Sequence, residues 1–186
     1  MAAEVVEVVE AVDAEQAFGR LERLYAQLPA MEGKGAALAR ARSAVEVDGL
    51  AKMAAYRAAE LARADALVAE AEARVSAAEA ALVRSEGAEG DAAEKAAHLG
   101  DLRLALMAAG TQRGLKVGPA QNAEHALAQA LEASPFDTVE EARAALLPTD
   151  SLAALASEVQ AYQAAYAEAL AVCQQLEDGD EPEDLK

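Results

Sequence analysis

Large side chains are scarce in this chain. Aromatics make up 3% of its 186 residues, and tryptophan is absent. A thick globular core removes apolar area from water mainly through bulky residues, so this composition favours thin helical layers instead. Cysteine occurs once, at Cys173, so no internal disulfide can form. That suits a reducing compartment, and a cytoplasmic location is the expectation. No apolar run approaches the ~20 residues a membrane span requires. The N-terminus carries Glu4, Glu7 and Glu10 where a secretory leader would carry basic residues. Lys and Arg number 16 against 33 Asp and Glu, giving a formal net charge of −17. Nucleic acids and anionic membranes are held by clustered Lys and Arg, so this balance argues against direct binding of either. The excess acid reads as solubility of exposed helix faces.

What is present points to helices that pair. Hydrophobic residues make up 54% of the chain, and much of that share is alanine. Alanine buries little area but is the best helix former. Leu152, Leu155, Val159, Tyr162, Tyr166, Ala169, Cys173 and Leu176 step by three and four along one run. They therefore lie on one helical stripe, a seam for a second helix. Leu61, Val68, Val75 and Leu82 repeat every seven residues, with Ala64, Ala71 and Ala78 between them. The alternation of large and small residues suits a close antiparallel partner. The preferred pairing sets Leu50–Arg84 against Ser151–Leu176.

Local signals divide the chain further. Val5, Val8, Val12, Phe18, Leu21, Tyr25 and Leu28 give a first helix an apolar face. Valine also favours strands, but the flanking alanines and glutamates favour helix. Pro29 is expected to end that helix, with Gly33 and Gly35 making the connection flexible. A long helix follows from about Ala36 to about Ser85, with Gly49 as a weak point and Gly87 and Gly90 as its end. Asp91 is a candidate N-cap for the next helix, with Glu94 as its capping-box partner. Its core face is Leu99, Leu102 and Leu106. Gly110, Gly114 and Gly118 are expected to break the chain, and Pro119 to start another helix running to about Ala133. Ser134-Pro135-Phe136-Asp137 reads as a turn. Thr138 caps a short helix with Glu141 at its third position, ending at Leu147–Pro148. Asp150 or Ser151 caps the last helix. The expected organisation is one helical coiled-coil or bundle domain over residues 1–176. An acidic tail follows over 177–186, with six acids against Lys186, expected to be disordered.

No residue pattern supplies catalysis. Glu94 and His98 are four apart and Glu124 adjoins His125, but a di-iron bundle needs two Glu-x-x-His motifs, and the chain has none. Neither metal nor cofactor is expected. Cys173 falls on the seam among Glu and Gln neighbours, with no adjacent cation to activate a thiol, so packing is its expected role. One stretch departs from the acidic background. From Leu102 to Ala123 there is no acid, while Arg103, Arg113 and Lys116 are present. A weak phosphate contact through Arg113 and Lys116 is one reading; a connector with Arg103 complementing a helix C-terminus is the favoured one.

The segment Ala126–Leu176 carries a resemblance. Its residues are Leu131-Glu132-Ala133-Ser134-Pro135-Phe136, then Thr138-Val139-Glu140-Glu141-Ala142, then Ala144-Ala145-Leu146-Leu147, followed by Leu152, Leu155 and Ala161-Tyr162. This order resembles the coiled-coil arms of the SbcC family, the SMC-like ATPase subunit of a bacterial double-strand-break nuclease. There a helix ends in a Phe-containing turn, a short acidic-started helix ends in an Ala-Leu-Leu type sequence, and a long helix carries a tyrosine. The resemblance implies an arm without heads. No Gly-rich run ending in Gly-Lys-Ser/Thr is present, since Gly33-Lys34-Gly35 lacks both the spacing and the hydroxyl. The family's zinc hook needs a Cys-x-x-Cys pair, which a lone Cys173 cannot supply.

The expectation is therefore an all-α fold of long antiparallel helices, forming a coiled coil or elongated bundle. The function expected is non-enzymatic: a structural or interaction protein resembling an SbcC-type arm, engaging a protein partner or itself through its helices. The alternative is a general helical adaptor or scaffold with no role in DNA repair, including one encoded by a phage.

Overall fold

The computed structural model describes the backbone of residues 2–84 and 89–179, and the side chains of residues 14–84 and 92–177. The chain is all-α. Its helices are α1 (Ala2–Arg84), α2 (Glu89–Glu132), α3 (Val139–Ala144) and α4 (Thr149–Gly179), and no strand occurs among the described residues. They fall into two compact units. One combines α1 up to Arg42 with α4; the other runs from Ser43 to Ala144.

In the first unit α4 runs antiparallel to α1. Arg20 reaches Glu168, Leu24 meets Tyr162 and Lys34 reaches Glu158, so one number rises as the other falls. In the second unit α2 runs antiparallel to the later part of α1, through Glu60 with Lys116, Asp65 with Arg113 and Glu79 with Arg103. This corrects the expected pairing of Leu50–Arg84 with Ser151–Leu176. Only four residues separate α1 from α2, and a short connection makes consecutive helices antiparallel neighbours. Thus α2 occupies the seam of Leu50–Arg84, and α4 pairs with the earlier stretch of α1.

Two helix breaks expected from local rules are absent. α1 continues through Pro29, Gly33, Gly35 and Gly49. A proline inside a helix removes one backbone hydrogen bond, to the carbonyl four residues earlier. Here Pro29 and Tyr25 are both exposed, so water can satisfy the freed Tyr25 carbonyl. α4 is bonded to α1 on both sides of the proline, at Leu24 and Lys34.

α2 likewise continues through Gly110, Gly114, Gly118 and Pro119. A residue before proline is normally driven out of the helical region by contact between its Cβ and the ring; Gly118 has no Cβ. The carbonyl freed by Pro119 belongs to Leu115, which is exposed to solvent. Ion pairs to α1 at Arg113 and Lys116 hold this stretch in place.

Other boundaries also shift. α2 starts at Glu89, so Gly90 and Asp91 lie inside it and Asp91 is not its N-cap. The expected stop at Gly87 lies outside the described residues, as do the side chains of Val5, Val8 and Val12. The acidic-tail expectation concerns residues 177–186, of which 180–186 lie outside the described residues, while α4 runs to Gly179. α4 starts earlier than expected, with Pro148 and not Asp150 or Ser151 at the cap position: the Leu152 amide donates to the Pro148 carbonyl at 2.9 Å. Asp150 then sits in the first turn, where the helix dipole favours an acid.

The connection between α2 and α4 is locally over-determined. The Ser134 hydroxyl donates to the Leu131 carbonyl at 2.9 Å and accepts from the Phe136 amide at 3.2 Å. Phe136 is buried beneath this turn. Thr138 Oγ1 accepts from the Glu141 amide at 3.2 Å, while Glu141 Oε2 accepts from the Asp137 amide at 3.0 Å. This is the capping arrangement expected of Thr138 and Glu141, with the glutamate reaching one residue further back than in the usual box.

Candidate interaction surfaces

The first unit is held by a seam of modest side chains. On α4, Val159, Tyr162, Ala169 and Cys173 are buried, while Leu152, Leu155, Tyr166 and Leu176 are half-buried. On α1, Leu38 and Ala41 are buried, and Leu21, Leu24 and Leu28 are half-buried. The polar end of Tyr162 is satisfied: its hydroxyl donates to the Leu24 carbonyl at 2.8 Å. The Tyr162 and Tyr166 rings stack at 6.0 Å between centroids, 28° from parallel. Desolvation, then the neighbouring Tyr166 hydroxyl and the Glu32 carboxylate, push the Tyr162 hydroxyl above the usual tyrosine range. The unit's edges carry exposed ion pairs, Arg20 with Glu168 at 2.7 Å and Lys34 with Glu158. Such exposed pairs contribute about 0–1 kcal/mol each. Beside the seam runs an open groove lined by Leu38, Arg42, Val159, Gln160 and Gln163.

In the second unit Ala64 and Val75 are buried, and Leu61, Val68, Ala71, Ala78 and Leu82 are half-buried. Leu99 is buried opposite them on α2, with Leu102 and Leu106 half-buried. The tightest packing lies at a different place, around Ala44, Val47 and Ala51 of α1 and Ala142 of α3, of which Ala44 and Ala142 are wholly shielded from solvent. The seven-residue repeat does not single out that stretch. Its signal is a run of small apolar residues three or four apart, at positions 44, 47 and 51.

Two acids organise the charge of this unit. Asp48 is buried yet holds Lys52 at 2.6 Å and Arg143 at 3.0 Å. Hydrogen bonds from Lys52 and then Arg143 keep its carboxyl below the ordinary range. Glu60 receives Lys116 at 2.8 Å and Arg57 at 2.6 Å, and these two cations, Lys116 first, depress it in the same way. Asp48 with Lys52, and Arg57 with Glu60, are legible as helical neighbours four and three apart. The link from Arg143 to Asp48, across 95 positions, carries no sequence signal.

Arg113 and Lys116, read as a possible phosphate contact, are placed against Asp65 and Glu60. Arg103 is against Glu79 at 2.8 Å rather than at a helix end. The three cations of the acid-free stretch thus each neutralise an acid of α1. A phosphate would have to displace a carboxylate to reach them. His98 and His125 are both exposed. Among the described residues no group of three or more His, Cys, Asp or Glu side chains is placed to hold a metal ion. Among the same residues no helix is long and apolar enough to cross a membrane. What the arrangement offers chemically is helix-to-helix adhesion along apolar seams with charged rims.

No family model matches the chain, and neither a curated protein nor a solved structure matches it.

Proposed function

We propose that this chain is a non-enzymatic structural and interaction protein that works as a helical spacer, of the kind formed by the coiled-coil arms of SbcC-type repair ATPases. The observation that carries this reading is the pairing of long helices through alanine-rich seams. α4 lies along α1 through Val159, Tyr162 and Ala169, and α2 lies along the later part of α1 through Val75 and Leu99. Small residues let helix backbones approach closely, and cross-helix ion pairs fix register at the rim. The arm resemblance is supported by element order. α2 ends before a turn holding Phe136, α3 opens with Glu140 and Glu141, and α4 carries Tyr162.

Co-expression with the SbcC-type ATPase and nuclease subunits of the same cell tests the reading. A stable complex on size exclusion, lost when Val159 is replaced by Asp, is the expected result. Absence of any complex at micromolar concentrations sinks the repair assignment and leaves a general scaffold.

A further inference from the structure

We propose that an arginine-lined groove between α1 and α4 receives the acidic segment Asp180–Lys186 of the same chain. The inference goes beyond the function proposed above and stands without the SbcC resemblance. The groove is open and is lined by Gln16, Ala17, Arg20 and Arg23 of α1 and by Ala169 and Val172 of α4. Its cations are incompletely used. Arg20 gives one terminal nitrogen to Glu168 at 2.7 Å, and its side chain stays 48% exposed. Arg23 donates through Nε to the Gly19 carbonyl at 2.9 Å, and among the described residues no carboxylate meets its guanidinium. The register explains this. Leu24 is level with Tyr162 and Arg20 with Glu168, and α4 carries no acid from Val159 to Ala167. Glu15 and Glu22 each stand one position from Gln16 and Arg23, about 100° round the helix, and neither lines the groove.

Charge and reach select the occupant. Asp180, Glu181, Glu183 and Asp184 follow α4 directly. Gly179 ends α4 seven residues past Val172 and eleven past Glu168, a distance of about 10 to 17 Å along the helix. The five residues from Asp180 to Asp184 reach up to about 17 Å when extended. A chain returning along α4 therefore brings Glu183 and Asp184 within reach of Arg20 and Arg23. Guanidinium and carboxylate then meet in charge-assisted, directional bonds. Glu168 is the one carboxylate already on the groove, and Arg20 neutralises it. A segment tethered by so few residues acts at an effective concentration of about a millimolar, which neither a free acidic peptide nor a second copy matches in dilute solution. The pairs are exposed and individually weak, so the segment exchanges on and off. While seated, it closes the groove to other acidic segments.

Paramagnetic labelling of the full chain tests this. A nitroxide is attached at Lys186→Cys, while Cys173 stays unlabelled because it is buried. The label is expected to broaden the amides from Gln16 to Arg23. Arg23→Gln should cut that relaxation about threefold, as loss of an exposed charge pair implies, with the helical circular dichroism unchanged. Raising salt from about 0.05 M to about 0.5 M should act in the same direction. Neutralising the segment itself (Asp180→Asn, Glu181→Gln, Glu183→Gln and Asp184→Asn together) leaves α1 and α4 untouched and should give the largest loss. Charge reversal supplies the rescue: Arg23→Glu weakens the broadening, and Glu183→Lys with Asp184→Lys in that background restores it. Broadening that is the same in the wild-type and neutralised chains overturns the proposal, as does its absence at residues 16–23. Broadening carried equally strongly from a labelled copy to a separate isotope-labelled copy assigns the groove to a second molecule and overturns it too.

Discussion

The hydroxyl of Tyr162 donates to the backbone carbonyl of Leu24 at 2.8 Å, five residues before Pro29 in the helix it pairs with. The bond places a side chain of α4 against the backbone of α1 where the helix is about to lose a hydrogen bond of its own. Removing only the hydroxyl, by Tyr162→Phe, is expected to cost about 1 kcal/mol, the usual net worth of one hydrogen bond. In a chain of this size that is a fall of about 2–4 °C in melting temperature. Thermal circular dichroism reads it directly; an unmoved transition shows that the bond does not contribute.

The same hydroxyl sets an alkaline limit. Burial, Tyr166 and Glu32 raise its pKa in the folded chain above that of an unfolded tyrosine. The folded state therefore holds the proton more tightly than the unfolded state does. Its contribution is complete below the ordinary tyrosine pKa of about 10 and is lost as pH rises through the higher folded value. Wild type should lose stability through that window more steeply than Tyr162→Phe. Parallel stability curves for the two from pH 8 to 11 would remove Tyr162 as the cause.

Pro29 costs α1 stability without ending it. Its ring is exposed and the helix is intact on both sides. Restoring the missing N–H by Pro29→Ala should therefore stabilise the chain, by up to the ~3 kcal/mol that an interior proline costs. Urea unfolding measures the gain. A loss of stability instead would mean that a bend at this position fits α1 to α4.

The all-α class was legible from alanine content and seven-residue spacing, because helical periodicity is a property of a single segment. Helix partners were less so. Leu50–Arg84 and the stretch around Leu24 both offer α4 a compatible face. What separates them is the order in which the chain returns: α2 follows α1 at once and pairs with the later stretch. Pro29 and Pro119 misled because the cost of each is local, while α1 is bonded to α4 on both sides of Pro29 and α2 to α1 just before Pro119. At Pro119 the preceding Gly118 also removes the clash that usually stops a helix. Among the charged groups, Asp48 with Lys52 could be read from a spacing of four, whereas Arg143 reaches Asp48 only through the fold. The Tyr162 hydroxyl bond has no sequence signature either, since its acceptor is backbone.

The acid limit is expected to involve Asp48. Lys52, then Arg143, hold its carboxyl below the ordinary range in the folded chain. The unfolded state binds that proton more readily, so the contribution is present above an ordinary aspartate pKa of about 4 and is lost as pH falls through the lower folded value. Lowering pH also relieves the repulsion among the excess acids, which masks the loss in wild type alone. The comparison with Asp48→Asn isolates it: wild type should be the more stable at pH 7, and the difference should shrink between about pH 4 and pH 2. A difference that is constant across that range would show that Asp48 acts by packing and not by charge.

Val159 tests the seam of α4 most sharply, because it is buried and its groove also holds an arginine. Val159→Ala removes apolar contact alone and should cost about 1.5–3 kcal/mol. Val159→Asp also buries a carboxylate, whose cost depends on whether a cation can reach it. Arg42 lines the same groove and is exposed. Val159→Asp should therefore cost more than Val159→Ala even with Arg42 present, and should be several-fold more damaging again to the folding equilibrium in an Arg42→Ala background. Urea unfolding of the four variants forms a double-mutant cycle. A coupling near zero, with Val159→Asp no worse than Val159→Ala, would mean that the carboxylate reaches water freely and that Val159 does not seal the contact between α4 and α1.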